Sequence, residues 1–351
     1  MKILLFINQL SSGGAERAAT TLLNHLCEKH DTYVAAINFK NEPYHIEPRV
    51  KIINDRVKST IKGASRIPRF IKMAHTIKKI NPDIVISFIT QTNVRAIAAC
   101  IITHKSIIVS ERNSLYRTLP TKEKFLQKLL YPFADKIVFV TSEDCTKFKL
   151  PQKSLTIYNP TLFEPYSDYS NRQNSITTIA PNKRWRQKGL DILISAWRKI
   201  ANQNQNWKLE IYGRISSISL PLAITKQEPE RVLWNGWCDN ISEELRKKNI
   251  FVLASRFEGC PNSLIEAMSQ GCACLGTDCR GGIKEIISDG VDGLIAKSED
   301  VDDIANKLQM LINDENLRRK LSAGAIEKVK QFDKNAFFAK WDNLLEEVAG
   351  K

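Results

Sequence analysis

The sequence predicts an α/β protein of two domains, each a doubly wound parallel sheet. Three observations carry this. Short apolar runs alternate with helical patterns along the chain, the arrangement that builds parallel sheets with helices between strands. A polar stretch containing Pro160 and Pro165 interrupts the series near its middle. The 351 residues exceed what one ordinary core serves, but suit two domains of roughly 150–180 residues each.

In the first series, Ile3–Ile7 reads as a buried strand. Gly13-Gly14-Ala15-Glu16 then leads into a helix carrying Ala18, Ala19, Leu22, Leu23 and Leu26. Tyr33–Ile37 is the next strand, and Ile84–Phe88 follows the turn Asn81-Pro82-Asp83. Ile107–Val109 and Ile137–Val140 are further short strands. The polar stretch 159–174 marks the boundary. In the second series Ile176–Ala180, Leu209–Tyr212, Ile250–Ala254, Ala273–Gly276 and Gly293–Ile295 read as strands, with helical patterns at Leu190–Ile200 and Leu264–Ser269. The amphipathic stretch Asn335–Val348 reads as a closing helix. The expected division is residues 1–165, residues 166–334, and a helix in 335–351 that packs back toward the first domain. Two such sheets facing each other would form a cleft at the carboxyl ends of their strands, where ligands of these sheets bind.

The formal charge is +14, and it is unevenly spread. Residues 1–170 hold 25 Lys and Arg against 14 Asp and Glu, while the remainder holds 27 against 24. The excess is densest in Val57–Ile80, where Lys58, Lys62, Arg66, Arg69, Lys72, Lys78 and Lys79 meet no acid. Such a face suits an anionic partner: nucleic acid, an anionic leaflet or a phosphate-bearing substrate. A merely solvated surface is the alternative.

The eight cysteines follow no disulfide framework. Cys272, Cys274 and Cys279 lie close together, but no CxxC pair or nearby histidine completes a zinc set, so reduced thiols are expected. Met1–Ile7 has only a five-residue apolar run before Ser11-Ser12-Gly13-Gly14, which reads as a strand and turn rather than a signal sequence. No apolar stretch approaches the ~18–20 residues of a membrane span. A cytosolic protein, or one on the cytosolic face of a membrane, is expected.

Ser255 to Met268 is the most informative segment. It follows an apolar strand directly. Gly259 permits close backbone approach, Pro261 sits near a helix start, and Gly271 lies past its end. A helix start offers N–H groups and a positive dipole end, which suit phosphate. The carboxylates of Glu258 and Glu266 can accept hydrogen bonds from sugar or ribose hydroxyls. Ser263-Leu264-Ile265-Glu266 also spells a capping box, in which Glu266 would only cap its own helix.

Glu258 and Glu266 in this setting resemble the EX7E signature of glycosyltransferase family 4, retaining enzymes of the GT-B fold, in which two Rossmann-like domains face across a cleft. The likeness covers nearly the whole chain in order. Gly13-Gly14-Ala15-Glu16 resembles the N-terminal glycine loop, and Lys188-Gly189 the lysine-glycine motif of the second domain. Gly281 to Ile287, Asp289-Gly290 and Gly293 resemble the segment after the EX7E helix. Ser110-Glu111-Arg112-Asn113 resembles the branch that builds bacterial surface polysaccharides.

The resemblance implies a role for each position. Glu258 would hold hydroxyls of the donor sugar and Glu266 those of the ribose. Backbone N–H groups of Asn262, Ser263 and Leu264 would meet the donor near its phosphates, Gly14 would approach the diphosphate from the first domain, and Gly213 would border the base. Trp234 and Trp237 are base-side alternatives that also read as core. Lys188 would neutralise the departing diphosphate. The family's second phosphate cation is displaced here: Asn182 and Lys183 stand where a Gly-Arg pair is usual, which makes Lys183 the first choice and Arg184 or Arg186 substitutes. A histidine common in relatives is replaced by Arg112, which cannot be a general base at neutral pH but can bind phosphate or orient an acceptor. His104 is the nearest histidine in sequence.

The implied reaction is transfer of a hexose or N-acetylhexosamine from a UDP-sugar, with no metal or other cofactor. The acceptor would be a lipid-linked saccharide, met at an anionic inner membrane by the basic domain. Phe70, Ile71, Met73, Leu115, Tyr116, Phe125, Leu129 and Leu130 are candidates for apolar contacts there, with packing into the core as the equal alternative. No nucleic-acid-binding motif is visible. The rival expectation is a basic nucleic-acid- or membrane-surface-binding protein on an inactive scaffold.

Overall fold

A computed structural model describes residues 1–10, 13–39, 44–54, 69–115, 119–181, 184–214 and 231–350. The chain divides into one unit of Met1–Pro160 with Asn335–Lys351 and a second of Thr161–Lys334.

In the first unit, β1 (Lys2–Leu10), β2 (Asp31–Phe39), β3 (Lys51–Asn54), β4 (Ile84–Phe88), β5 (Ser106–Glu111), β6 (Lys136–Phe139) and β7 (Ser154–Thr156) pair in parallel in the order β3-β2-β1-β4-β5-β6-β7. Successive side chains of a strand point to opposite faces, and β1 feeds two cores accordingly. Ile3, Leu5 and Ile7 pack with α1 (Gly14–Leu26) through Ala18, Ala19, Leu22 and Leu23, and with Phe337, Trp341, Leu344 and Leu345 of the last helix. Leu4 and Phe6 face the other way, into a core shared with α2 (Arg69–Ile80) and α3 (Thr90–Thr103). α4 (Thr121–Leu130) lies against α3 and adds Leu126 and Leu130 to that core. α5 (Ser142–Lys147) starts on Thr141, whose hydroxyl accepts from the Asp144 N–H at 3.2 Å.

In the second unit, β8 (Gln173–Ile179), β9 (Lys208–Tyr212), β10 (Val232–Gly236), β11 (Lys248–Leu253), β12 (Ala273–Thr277) and β13 (Leu294–Ala296) form a second parallel sheet in the order β10-β9-β8-β11-β12-β13. Ile176, Leu209, Ile211, Ile250 and Val252 form one core with α6 (Leu190–Ile200), which contributes Leu193 and Trp197. α7 (Ile241–Arg246), α8 (Asn262–Ser269), α9 (Ile283–Ile286), α10 (Val301–Asn313), α11 (Glu315–Val329) and α12 (Lys334–Ala349) follow, α12 belonging to the first unit. Asp300 and Asp314 cap α10 and α11, accepting from Asp303 N–H and Leu317 N–H at 2.9 Å each.

Both sheets are doubly wound. Strand order reverses between β1 and β4 in one and between β8 and β11 in the other. Those switch points open crevices beyond the strand ends, the places where such sheets take ligands. Three strands, β3, β7 and β10, were not foreseen from the sequence. Each is an edge strand.

Candidate functional site

Two of the residues singled out in the second unit, Lys188 and Glu258, come together at its switch point. β11 is buried throughout, and its Ile250–Leu253 run leads straight into Ser255 and Glu258. β8 leads through Ala180 and Pro181 to Lys188 and then to Gly189, the N-cap of α6. Lys188 Nζ donates to Glu258 Oε1 at 2.8 Å, and the Ser255 hydroxyl donates to the same oxygen at 2.6 Å. Both partners are nearly closed off, Lys188 at 9% and Glu258 at 5% exposure. This pair leaves capacity unused. Among the described residues, Glu258 Oε2 has no protein donor and the Lys188 ammonium donates one of its three N–H bonds. A carboxylate oxygen and two N–H donors therefore remain at one spot, able to take a hydroxyl and an anion together.

The Glu258 loop is held from two sides. Glu258 N–H donates to Arg280 O at 3.1 Å, and Gly282 N–H to Gly259 O at 3.0 Å. Gly281 lies between them at φ +112°, and a Cβ there would come within 1.7 Å of Glu258 O. On the other side Arg256 N–H donates to Gln187 O at 2.8 Å, and Gln187 Nε2 to Phe257 O at 3.2 Å. Gly189 is left-handed at φ +62°, with its missing Cβ directed at Ala254 O. Only glycine fits at either position.

α8 begins at Asn262 with Pro261 as its N-cap, no side-chain cap and no acid in its first turn. Ser263 stands inside the helix, its hydroxyl buried without a partner. The capping box spelled by Ser263 and Glu266 is therefore not formed, because the helix starts two residues too early for Ser263 to be its cap. Glu266 is buried within α8. Leu264 is fully buried, and its N–H closes a turn onto Pro261 O at 3.0 Å.

Gly213 follows β9 at φ +125°, its N–H donating to Gly236 O at 2.7 Å and its Cα facing Ala180 O. Trp234 is partly buried against the core, whereas Trp237 is 49% exposed, with the Arg214 guanidinium 4.8 Å over its ring and Nε1 donating to Asp239. The core reading of Trp237 is thus corrected: it projects beyond the end of β10. Arg184 and Arg186 are exposed, and Lys183 lies outside the described residues.

In the first unit, Gly14 opens α1 after the N-cap Gly13. The Glu16 carboxylate crowds Gly13, since a Cβ there would meet Glu16 Oε2 at 2.2 Å. The helix start thus carries an acid of its own. Arg112 follows β5, its Nη1 donating to Asn159 Oδ1 at 2.6 Å and its guanidinium 4.4 Å over the Phe88 ring. His104 caps α3 at the opposite end of β5, about 20 Å away at ~3.3 Å per residue, so it does not replace the missing histidine.

Glu111, at the end of β5, is only 1% exposed. It accepts from Thr90 (2.7 and 2.8 Å), Tyr131 (2.7 Å), Gln127 (3.3 Å) and the Asn113 N–H (3.3 Å). Burial raises its pKa, against the lowering effect of these hydrogen bonds. Ile89, immediately before α3, holds φ +77°, a strained conformation for a β-branched residue at the ligand end of the sheet.

The basic face is concentrated in α2, α3 and α4. Arg69, Lys72, Lys78, Lys79, Arg95, Lys122, Lys124 and Lys128 share these helices with a single acid, Glu123, which accepts from Gln91 at 2.6 Å. Phe125, Leu129 and Phe133 are 65%, 52% and 60% exposed, and Ile71 is 45% exposed. Met73 is buried, Leu115 and Leu130 pack into the core and Phe70 is half-buried, which removes them from the expected apolar contacts. Lys58, Lys62, Arg66 and Tyr116 lie outside the described residues. Among the described residues no helix is long and apolar enough to cross a membrane.

Residues 173–314 match the family model described as Glycosyl transferases group 1. A Campylobacter jejuni enzyme, GalNAc-alpha-(1->4)-GalNAc-alpha-(1->3)-diNAcBac-PP-undecaprenol alpha-1,4-N-acetyl-D-galactosaminyltransferase, is 28% identical over 99% of this chain and 99% of its own. The amylovoran biosynthesis glycosyltransferase AmsD of Erwinia amylovora is 24% identical over 98% of this chain and 99% of its own. The crystal structure of Anabaena HepE in complex with UDP superposes with a TM-score of 0.84 at 17% identity, covering 99% of this chain and 100% of that one. The fold is GT-B, with two Rossmann-like units. Taken together, the matches support a glycosyltransferase.

Proposed function

We propose that the protein is a retaining hexosyl- or N-acetylhexosaminyltransferase of glycosyltransferase family 4. It would move the sugar from a UDP-sugar to a lipid-linked saccharide, forming an alpha linkage during O-antigen, capsule or exopolysaccharide synthesis. The observation that carries the reading is the Lys188–Glu258 pair at the β8/β11 switch point, with one carboxylate oxygen and two ammonium N–H bonds unused. A nucleoside diphosphate leaving group develops negative charge as the glycosidic bond breaks. Lys188 and the positive dipole end of α8 supply positive potential for it. Glu258 positions the donor sugar through its hydroxyls and does not attack. The leaving phosphate assists proton removal from the acceptor on the same ring face. Glu266 holds the ribose hydroxyls, Gly213 borders the base, and Gly14 approaches the diphosphate. Lys183 is the second phosphate cation, with Arg184 and Arg186 as its substitutes. No bound metal enters this chemistry.

The acceptor assignment draws on the relatives. The Campylobacter enzyme acts on a diphospho-undecaprenol-linked saccharide. Arg112 would orient such an acceptor or bind its phosphate. The α2–α4 face, basic and studded with Phe125, Leu129 and Phe133, would rest on the anionic cytoplasmic leaflet of the inner membrane. Each Lys or Arg near such a surface contributes about 1 kcal/mol.

A panel of UDP-sugars assayed against lipid-diphosphate-linked acceptors tests the reading, with Glu258→Ala and Lys188→Ala as controls. Transfer by the wild type and its loss in both variants is expected. Undiminished transfer by both variants would remove the site. Salt-dependent oligonucleotide binding without sugar transfer would favour the nucleic-acid-binding alternative.

A further inference from the structure

We infer that Arg256 is a positioning residue, which fixes the loop carrying Lys188 against the loop carrying Glu258. The inference rests on the functional reading above for what those two groups do. Its own basis is separate and geometric.

Arg256 stands two residues before Glu258. Its Nη1 and Nη2 clasp Asp191 Oδ1 and Oδ2 at 2.9 and 2.8 Å. Nη1 also donates to Arg186 O at 2.6 Å, and Nε to Glu299 Oε1 at 2.8 Å. Arg186 and Asp191 lie on either side of Lys188 in the chain, so one guanidinium grips the lysine loop both before and after the lysine. The main chain repeats the connection through Arg256 N–H to Gln187 O at 2.8 Å. The Gly189 backbone comes so close to Ala254 O that no side chain fits between them.

Two features set Arg256 apart from a phosphate-binding cation. Four hydrogen bonds within the protein already engage Nε, Nη1 and Nη2, three of them to carboxylates and one to a carbonyl. Its charge is also matched locally, since the Asp191 and Glu299 carboxylates beside it raise its pKa further. The side chain is about three-quarters buried, at 24% exposure, and so is Asp191 at 26%. A planar fork meeting a carboxylate through two parallel bonds fixes direction as well as distance, which a lysine cannot do. What the fork fixes is where the Lys188 ammonium sits relative to Glu258. Misplacing such a group by about 1 Å is enough to slow a reaction ~100-fold.

The test uses the full-length protein with a UDP-sugar that the wild type turns over. Steady-state kinetics are measured for Arg256→Lys, Asp191→Asn and Lys188→Met, and for Arg256→Lys combined with Lys188→Met. Melting midpoints accompany each variant. Arg256→Lys and Asp191→Asn are each expected to lower kcat about 10- to 100-fold, with donor KM little changed and the protein still folded. In the Lys188→Met background Arg256→Lys should cost nothing more, because residues acting as one unit are not additive. Wild-type kcat in Arg256→Lys, or the same fold-loss in both backgrounds, overturns the inference while leaving the functional reading intact. A Lys188→Met variant with wild-type kcat overturns the functional reading, and the role of Arg256 with it.

Discussion

Separating what Lys188 and Glu258 do for the fold from what they do for the reaction requires a double-mutant cycle. Lys188→Met removes the cation and leaves Glu258, at 5% exposure, with only the Ser255 hydroxyl. At the 2.8 Å separation, an effective dielectric of about 20 gives an attraction of about 6 kcal/mol. Desolvation of both groups offsets part of it. Removing one partner of a buried pair costs about 3–5 kcal/mol because the other charge is stranded. Glu258→Gln strands the lysine in the same way. The double variant strands neither charge, so it should recover at least ~2 kcal/mol relative to the sum of the singles. Urea unfolding midpoints measure this. Transfer activity should behave differently. Each single should lose about 100- to 1000-fold in kcat, and the double should stay as low as the worse single. Stability that returns while activity does not is the expected result. A coupling under about 0.5 kcal/mol, or a double variant that regains transfer, would refute the reasoning.

Other predictions follow from neighbouring features. Gly281→Ala should abolish most transfer and lower the melting midpoint, since φ +112° alone strains alanine by about 1–3 kcal/mol and its Cβ would also strike Glu258 O; activity and melting within error of wild type would contradict it. Glu111 is an acid whose pKa burial raises. Between its unfolded and folded pKa the native state keeps a proton that the unfolded state has lost, so its contribution is full below the unfolded value and is lost as pH rises through the folded one. The stability difference between wild type and Glu111→Gln should therefore shift against the wild type on going from pH 4 upward, as followed by urea midpoints. Phe125→Ser combined with Leu129→Ser should weaken binding to anionic vesicles about 10-fold or more at low salt, with soluble-substrate activity retained; unchanged flotation would remove α4 from the membrane contact.

The central strands were legible because they are buried on both faces. β4 and the Ile250–Leu253 part of β11 are short, mainly apolar runs, and each is buried throughout. β3, β7 and β10 were not legible because an edge strand is short and half-exposed: β10 reads Val-Leu-Trp-Asn-Gly, only three apolar residues, none of them fully buried. The Glu258 loop was legible as a motif, but its partners were not. Ser255 shares a loop with Glu258 but carries no signal of its own, and only the approach of β8 and β11 in space brings Lys188 to Glu258 and Asp191 to Arg256. The capping box misled because a four-residue pattern cannot say where a helix begins. Pro261 decided that, starting α8 one residue ahead of Ser263.

The route of the chain also has a consequence for biogenesis. The first unit is completed by α12, whose Phe337, Trp341 and Leu344 cover Ile3, Leu5 and Ile7. The ribosome makes that cover only after the whole of Thr161–Lys334 has been synthesised. Throughout that interval the amino-terminal sheet has a greasy flank without its lid, while the later segment can already fold. Nascent chains stalled before residue 335 should consequently engage chaperones and resist proteases poorly in their first 160 residues. The order of translation thus leaves the half assigned to the acceptor as the last to mature.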